Sequence, residues 1–223
     1  MKKYIEQYLR IRNDQIGYVF PNVTSESLRP LDLSTKNNQL KPEVVSDTTR
    51  FDRLISKMLL PGKVGIGGYL EFRTLYQRSN MYLGEETRSL HLGVDVWIQA
   101  STKIYAPWPG RIHSFNDNQG FGDYGPTIIL EHSAEEVRFF TLYGHLSRHS
   151  LQNISVGQFV DKSEEVGELG DFPENGDWPP HLHFQVMTDL LGYEGDFPGV
   201  IAPSQRHLFE STCIDPMLLL TFK

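Results

Sequence analysis

The hydrophobic positions of this chain change period near residue 63. Before that point, Phe51, Leu54, Ile55, Met58 and Leu59 fall at i, i+3, i+4, i+7 and i+8, the stripe of an amphipathic helix. Asp47, Thr48 and Thr49 offer N-cap oxygens, and Pro61-Gly62 ends the run. A second, weaker helical segment belongs to the same stretch, and residues 25–46, rich in Ser, Pro, Asn and Lys, read as irregular chain. From Val64 onward the pattern becomes short apolar runs at 69–75, 94–98, 111–115, 127–132, 137–143, 159–161, 165–169 and 182–187. Gly110, Gly122, Gly125, Gly157, Gly167 and Gly170 punctuate them as turns. This spacing predicts a mainly β protein, an antiparallel β sandwich or open barrel, with a small helical N-terminal extension over 1–62 and one domain over 63–223. The tail from 189 reads as loop, with a short apolar end at 217–220 that packs back on the core.

Composition narrows the function classes. At 39% hydrophobic over 223 residues the chain can bury a sizeable core. The net charge of −7 leaves no basic patch for nucleic acid and would repel an anionic membrane or wall polymer. A single cysteine, Cys213, excludes an intrachain disulfide and a Cys₄ zinc site, and reads as a small buried apolar residue. No apolar run approaches about 18 residues, so no membrane-inserted helix is expected. The first ten residues lack an apolar core of signal-peptide length because Glu6 and Arg10 interrupt it, so the expected location is cytoplasmic.

The chemistry lies in three short stretches: His91-Leu92-Gly93-Val94-Asp95, Tyr143-Gly144-His145 and His181-Leu182-His183. Imidazole nitrogen and carboxylate oxygen are the ligands of catalytic zinc, which takes three protein groups and keeps a position open. Five candidate groups therefore allow three ligands and two side chains free for proton transfer. On a strand His181 and His183 face the same side, with Phe184 and Val186 turned to the opposite, core side. His91 and Asp95 would stand about 13 Å apart on a straight strand, so sharing a metal requires a bend, which Gly93 permits. His145 ends the apolar run beginning at Phe139. His113 and His132 fall on strand faces, with a subsidiary role beside His145 open for His132. His149 and His207 fall in polar loops. No H-E-x-x-H is present, so a glutamate base of that kind is missing and imidazole has to serve.

Taken together and in this order, the stretches resemble the signature of the lysostaphin-like, LytM-type zinc metallopeptidases, the glycyl-glycine and peptidoglycan DD-endopeptidases. That signature is H-x-G-x-D, a strand ending in Y-x-H, and P-H-x-H-F, matched here by residues 91–95, 143–145 and 180–184. The turns around Ala106–Ile112, Val156–Val160 and Val166–Gly170 are also similar, and the resemblance spans about 65–188. It implies the duplicated hybrid motif shared with glucose-permease-IIA-like domains. It implies one Zn²⁺ per chain held by His91, Asp95 and His183, with His145 and His181 catalytic, and hydrolysis of a peptide or muropeptide by zinc-activated water with histidine as general acid and base. Which of the two imidazoles is the base stays open, as do the scissile bond and the oligomeric state. The acidic body and an N-terminal segment unlike any wall-binding module favour soluble muropeptides or intracellular peptides over intact wall. Three rivals share parts of the pattern. A cupin would need a glutamate where Met187 or Thr188 stands. A IIA-type phosphocarrier would not need the full H-x-H-F. A zinc-binding regulatory module would not need both additional histidines.

Overall fold

The computed structural model describes residues 1–134 and 137–223. Among the described residues thirteen strands form: β1 (Leu28–Pro30), β2 (Val64–Gly67), β3 (Leu90–His91), β4 (Val94–Trp97), β5 (Lys103–Tyr105), β6 (Gly110–Asn118), β7 (Gly125–Ala134), β8 (Val137–Gly144), β9 (Phe159–Val160), β10 (Glu165–Glu168), β11 (His181–Met187), β12 (Val200–Ile201) and β13 (Cys213–Ile214). Four α-helices accompany them: α1 (Lys2–Ile11), α2 (Pro42–Val45), α3 (Thr48–Met58) and α4 (Arg206–Thr212). The main sheet runs β1-β2-β4-β11-β8-β7-β6-β9, with β13 also pairing β11, and two small sheets join β10 to β5 and β12 to β3. The protein is mostly β, as its sequence pattern predicts, and the sheet is open. No helix among the described residues is long and apolar enough to cross a membrane.

Every strand pair is antiparallel except β1 with β2. That parallel pair departs from the purely antiparallel expectation. A parallel pair needs a long crossover, and the chain between Pro30 and Val64 supplies one that carries α2 and α3. The segment read as irregular therefore contains an edge strand and a short helix. Residues 69–75 do not form a strand: they make a single bridge, Phe72 to Leu90, and Leu70 has φ +56°. The apolar run there serves as a folded loop that turns Arg73 inward. The tail is more ordered than loop, carrying β12, α4 and β13, and Leu219 and Leu220 pack into the core as expected.

β11 organises the site. Its even positions, Leu182, Phe184 and Val186, join Val94, Val96 and Tyr143 in the main core. Its odd positions, His181, His183 and Gln185, share the other face, as the two-residue period of a strand requires. The register sets His183 opposite Asp95 on β4 and opposite Gly144 on β8. One line across three strands therefore carries two of the three motifs and the residue next to His145.

α3 forms where its stripe predicts it. The Asp47 side chain accepts from the Arg50 amide, which caps the helix N-terminus. Phe51, Leu54 and Ile55 are buried in a second cluster with Leu75, Tyr76, Trp97 and Trp178. The Phe51 ring meets Trp97 and Trp178 edge-on at 6.1 and 6.4 Å. Filling this space gives Phe51 a large share of local stability. Phe51→Ala should lower the unfolding free energy by about 3–5 kcal/mol, whereas removing the cap with Asp47→Ala should cost about 1 kcal/mol. Chemical denaturation of the two variants beside the parent protein checks both, and equal losses would mean that Phe51 does not anchor the helix.

Candidate active site

The bend at Gly93 is present: β3 ends at His91, β4 begins at Val94, and His91 Nε2 lies 3.2 Å from Asp95 Oδ1. Gly93 also lets β11 come close, since a Cβ there would sit 2.6 Å from the His183 ring. His183 Nδ1 is 3.1 Å from the same Asp95 oxygen and 3.0 Å from His91 Nε2. These three side chains make a cluster of metal-ligand type, buried throughout.

The partners behind each ring decide which nitrogen carries a proton. His91 Nδ1 faces the Gly68 carbonyl at 3.1 Å. A carbonyl only accepts, so that nitrogen is N–H and Nε2 is bare. Gln185 does the same for His183 at the other ring nitrogen. Its amide nitrogen donates to the Pro198 carbonyl and to Cys213 Sγ, which turns Oε1 toward His183 Nε2 at 3.0 Å. His183 Nε2 is then the N–H, with the Tyr124 hydroxyl 3.3 Å away, and Nδ1 is bare. Two bare nitrogens and a carboxylate oxygen thus converge at 3.0–3.2 Å with no proton between them. That arrangement is repulsive without a cation. The spacing matches the roughly 3.3 Å edge of a tetrahedron whose zinc–nitrogen bonds are about 2.0 Å. The residues present fit a divalent metal.

Arg73 holds the far side of the carboxylate. Its Nη1 donates to Asp95 Oδ2 at 2.5 Å and to the Tyr76 hydroxyl at 3.2 Å, and Nε donates to Glu71 Oε2 at 2.7 Å. Burial pushes the Asp95 carboxyl up, but the groups around it, the Arg73 guanidinium among them, overcome this and hold it well below the usual carboxylate range.

His145 and His181 lie together beside this cluster, with ring centroids 4.3 Å apart. Leaving β8, His145 takes φ +64°, a left-handed turn that swings its ring out of the strand. Its Nδ1 donates to the Asn175 carbonyl at 2.8 Å, and His181 Nδ1 donates to the Pro179 carbonyl at 2.7 Å. Both Nε2 atoms are therefore bare, and that of His181 is 4.0 Å from Asp95 Oδ1. Burial lowers His181 to about 4. Burial, with His181 and His183 nearby, drives His145 well below the usual histidine value. At neutral pH both are uncharged acceptors. Trp97 stacks on His181 at 4.0 Å, and Trp178 meets both rings edge-on at 6.2 Å. A cavity of about 170 Å³ opens over these groups, walled by Tyr76, Tyr82, Tyr124 and Trp178.

All five residues singled out in the sequence meet at this cavity or at its floor. The other histidines do not join them. His132 bonds the Pro109 carbonyl and Thr141 Oγ1, which closes off a role beside His145. Sequence reasoning missed Gln185, Arg73, Tyr124 and Asn175. Gln185 had a signal, since it is the next same-face position after His183. Arg73 had none, since its segment reads as a strand.

A family model described as peptidase family M23 matches residues 89–193. That stretch is similar to the M23 peptidases. A search of curated proteins found no match. Among solved structures, the catalytic domain of lysostaphin from Staphylococcus simulans is 28% identical, with a TM-score of 0.41 over 59% of this chain and 80% of that one. A zinc containing peptidase from Vibrio cholerae is 22% identical, with a TM-score of 0.34 over 44% of this chain and 27% of that one. A putative peptidase M23 from Pseudomonas aeruginosa is 21% identical, with a TM-score of 0.38 over 65% and 52%.

His132 isolates the effect of burial on imidazole, away from the cluster. Burial lowers it to about 4 from an ordinary 6.5. Below about 6.5 the unfolded chain binds a proton there that the folded chain refuses until about 4, so stability is full above that window and falls as pH drops through it. The metal-free protein should lose on the order of 3 kcal/mol from this residue between pH 7 and 4. Urea denaturation across that range measures it, and His132→Gln should flatten the slope; an unchanged slope would show that His132 titrates normally.

Proposed function

We propose that this protein is a zinc-dependent metalloendopeptidase. One zinc is held by His91 Nε2, Asp95 Oδ1 and His183 Nδ1, and His145 and His181 move the protons. The observation that carries this reading is the convergence of three unprotonated donor atoms at 3.0–3.2 Å beside two neutral imidazoles. The similarity to M23 peptidases supports the same chemistry. Bound there, the metal supplies Lewis acidity, lowering the pKa of water toward about 7 and polarising the scissile carbonyl. The chain's own groups do the rest. A bare Nε2 of the imidazole pair accepts the proton of the attacking water, and the resulting imidazolium gives it to the leaving amine. The Asn175 and Pro179 carbonyls keep each Nδ1–H in place, so the ring does not turn between the two transfers. Trp97 and Trp178 keep bulk water from the pair.

The small cavity and its aromatic walls favour peptide bonds flanked by small residues, such as those of glycine-rich or peptidoglycan-type peptides. A IIA-type phosphocarrier is the weaker reading: its acceptor histidine needs no second bare nitrogen aimed at the same carboxylate oxygen.

Elemental analysis should find about one zinc per chain, lost in His91→Ala, Asp95→Ala and His183→Ala. His145→Ala and His181→Ala should keep zinc and lose roughly 10²-fold or more of turnover on defined Gly-Gly and D-Ala-containing peptides. Full zinc in all three ligand variants, or loss of zinc in the other two, would overturn the assignment. Gln185→Leu keeps the volume but removes the acceptor that sets the His183 tautomer, and should weaken zinc binding about 10–100-fold. Unaltered affinity there would mean that the tautomer is set elsewhere.

A further inference from the structure

The metal ligands face a competitor. Arg73 is 1% exposed, and its guanidinium lies on the oxygen of Asp95 that does not face the histidines. Its Nη2 has no hydrogen-bond partner, and its other contacts are Glu71 and the Tyr76 hydroxyl. The residue comes from the loop before β3, outside residues 89–193, so it is a contribution of this chain beyond the family-matched region.

We propose that Arg73 is a positioning residue that acts as a resident counter-cation: it fixes Asp95 as a one-oxygen ligand and sets metal affinity below what the three ligands alone would give. This rests on the metal reading above. A carboxylate buried at 2% exposure needs a positive partner. Without metal, Arg73 is that partner. With metal, two cations share one carboxylate, separated only by its width, and they repel in a medium that screens poorly. Oδ2 is also closed to the metal, which leaves Oδ1 as the only oxygen offered. Glu71 moderates the effect by pairing with the other edge of the guanidinium, its side chain still 17% exposed.

The sign of the effect separates this role from a structural one, because damage to the fold can only loosen the site. Zinc and cobalt affinities are measured by competition with a chromophoric chelator on the full chain, with circular dichroism confirming the fold. Arg73→Gln should bind zinc at least tenfold more tightly, and Arg73→Lys, which keeps the charge, should stay within about threefold of the parent. Glu71→Gln removes a partly exposed partner rather than a core group. It should weaken binding severalfold, which keeps the test available if Arg73→Gln does not fold. Weaker or equal zinc binding in a folded Arg73→Gln, or unchanged affinity in Glu71→Gln, overturns the proposal. A parent protein that binds no zinc would instead overturn the metal reading itself.

Discussion

A carboxylate sealed from water has to be neutralised, and the site is built around how Asp95 meets that demand. On one side it has Arg73; on the other, two imidazole nitrogens that offer lone pairs instead of protons. Lone pairs cannot neutralise a carboxylate, so the histidine side of Asp95 remains electron-rich. The antiparallel register of β4 against β11 makes this unavoidable, because it fixes Asp95 opposite His183 with no room to slide. A one-residue slip would turn every odd-numbered β11 side chain into the core. The core packing of Leu182, Phe184 and Val186 therefore also secures the ligand geometry.

The imidazole pair depends on a different part of the chain. Trp97 stacks on His181, and Phe51 of α3 packs on Trp97. Arg78 lies 4.5 Å over Trp178 and donates to Thr48 on the first turn of α3, while Thr48 donates to the Asp177 carbonyl. Asn175 grips the Trp178 backbone through its side chain and accepts from His145 through its carbonyl. The loop at 171–180 is thus clamped by residues well upstream of the M23 match. This explains why the apolar stripe at 51–59 exists. Phe51, Leu54 and Ile55 of that stripe are buried in the cluster that holds Trp97 and Trp178, behind the His145–His181 pair.

How much of this was legible follows from range. Features set by local spacing could be read: the α3 stripe and its cap, the same-face pair His181 and His183, and the bend forced at Gly93. Strands β7 and β8 were also legible, because each carries a short apolar run, Ile128-Ile129-Leu130 in one and Phe139-Phe140 with Leu142 and Tyr143 in the other. What could not be read depends on distant partners. Residues 69–75 have strand-like composition, yet the demand of Asp95 for a cation pulls Arg73 inward and breaks the run into a loop. The β1–β2 pairing escaped because three residues of edge strand carry almost no pattern. The tail escaped because β13 exists only through its partner β11.

Four imidazoles cluster around Asp95, three of them lining the cavity, and residue type alone does not divide the proposed ligands from the proposed proton carriers. The division is made by what stands behind each ring. Gly68 and Gln185 leave the bare nitrogens of His91 and His183 3.0 Å apart and pointed at one oxygen. Asn175 and Pro179 leave the bare nitrogens of His145 and His181 facing the cavity, with that of His181 4.0 Å from that oxygen, longer than the roughly 3.3 Å edge of the tetrahedron that the proposed ligands fit. Three of these four partners are backbone carbonyls, which no side-chain substitution at their own positions removes directly. The assignment of roles is therefore carried by the path of the chain through residues 68, 175 and 179, and only at Gln185 by a side chain. That makes Gln185 a position where the tautomer, and with it the proposed ligand role of His183, is open to change by a single substitution.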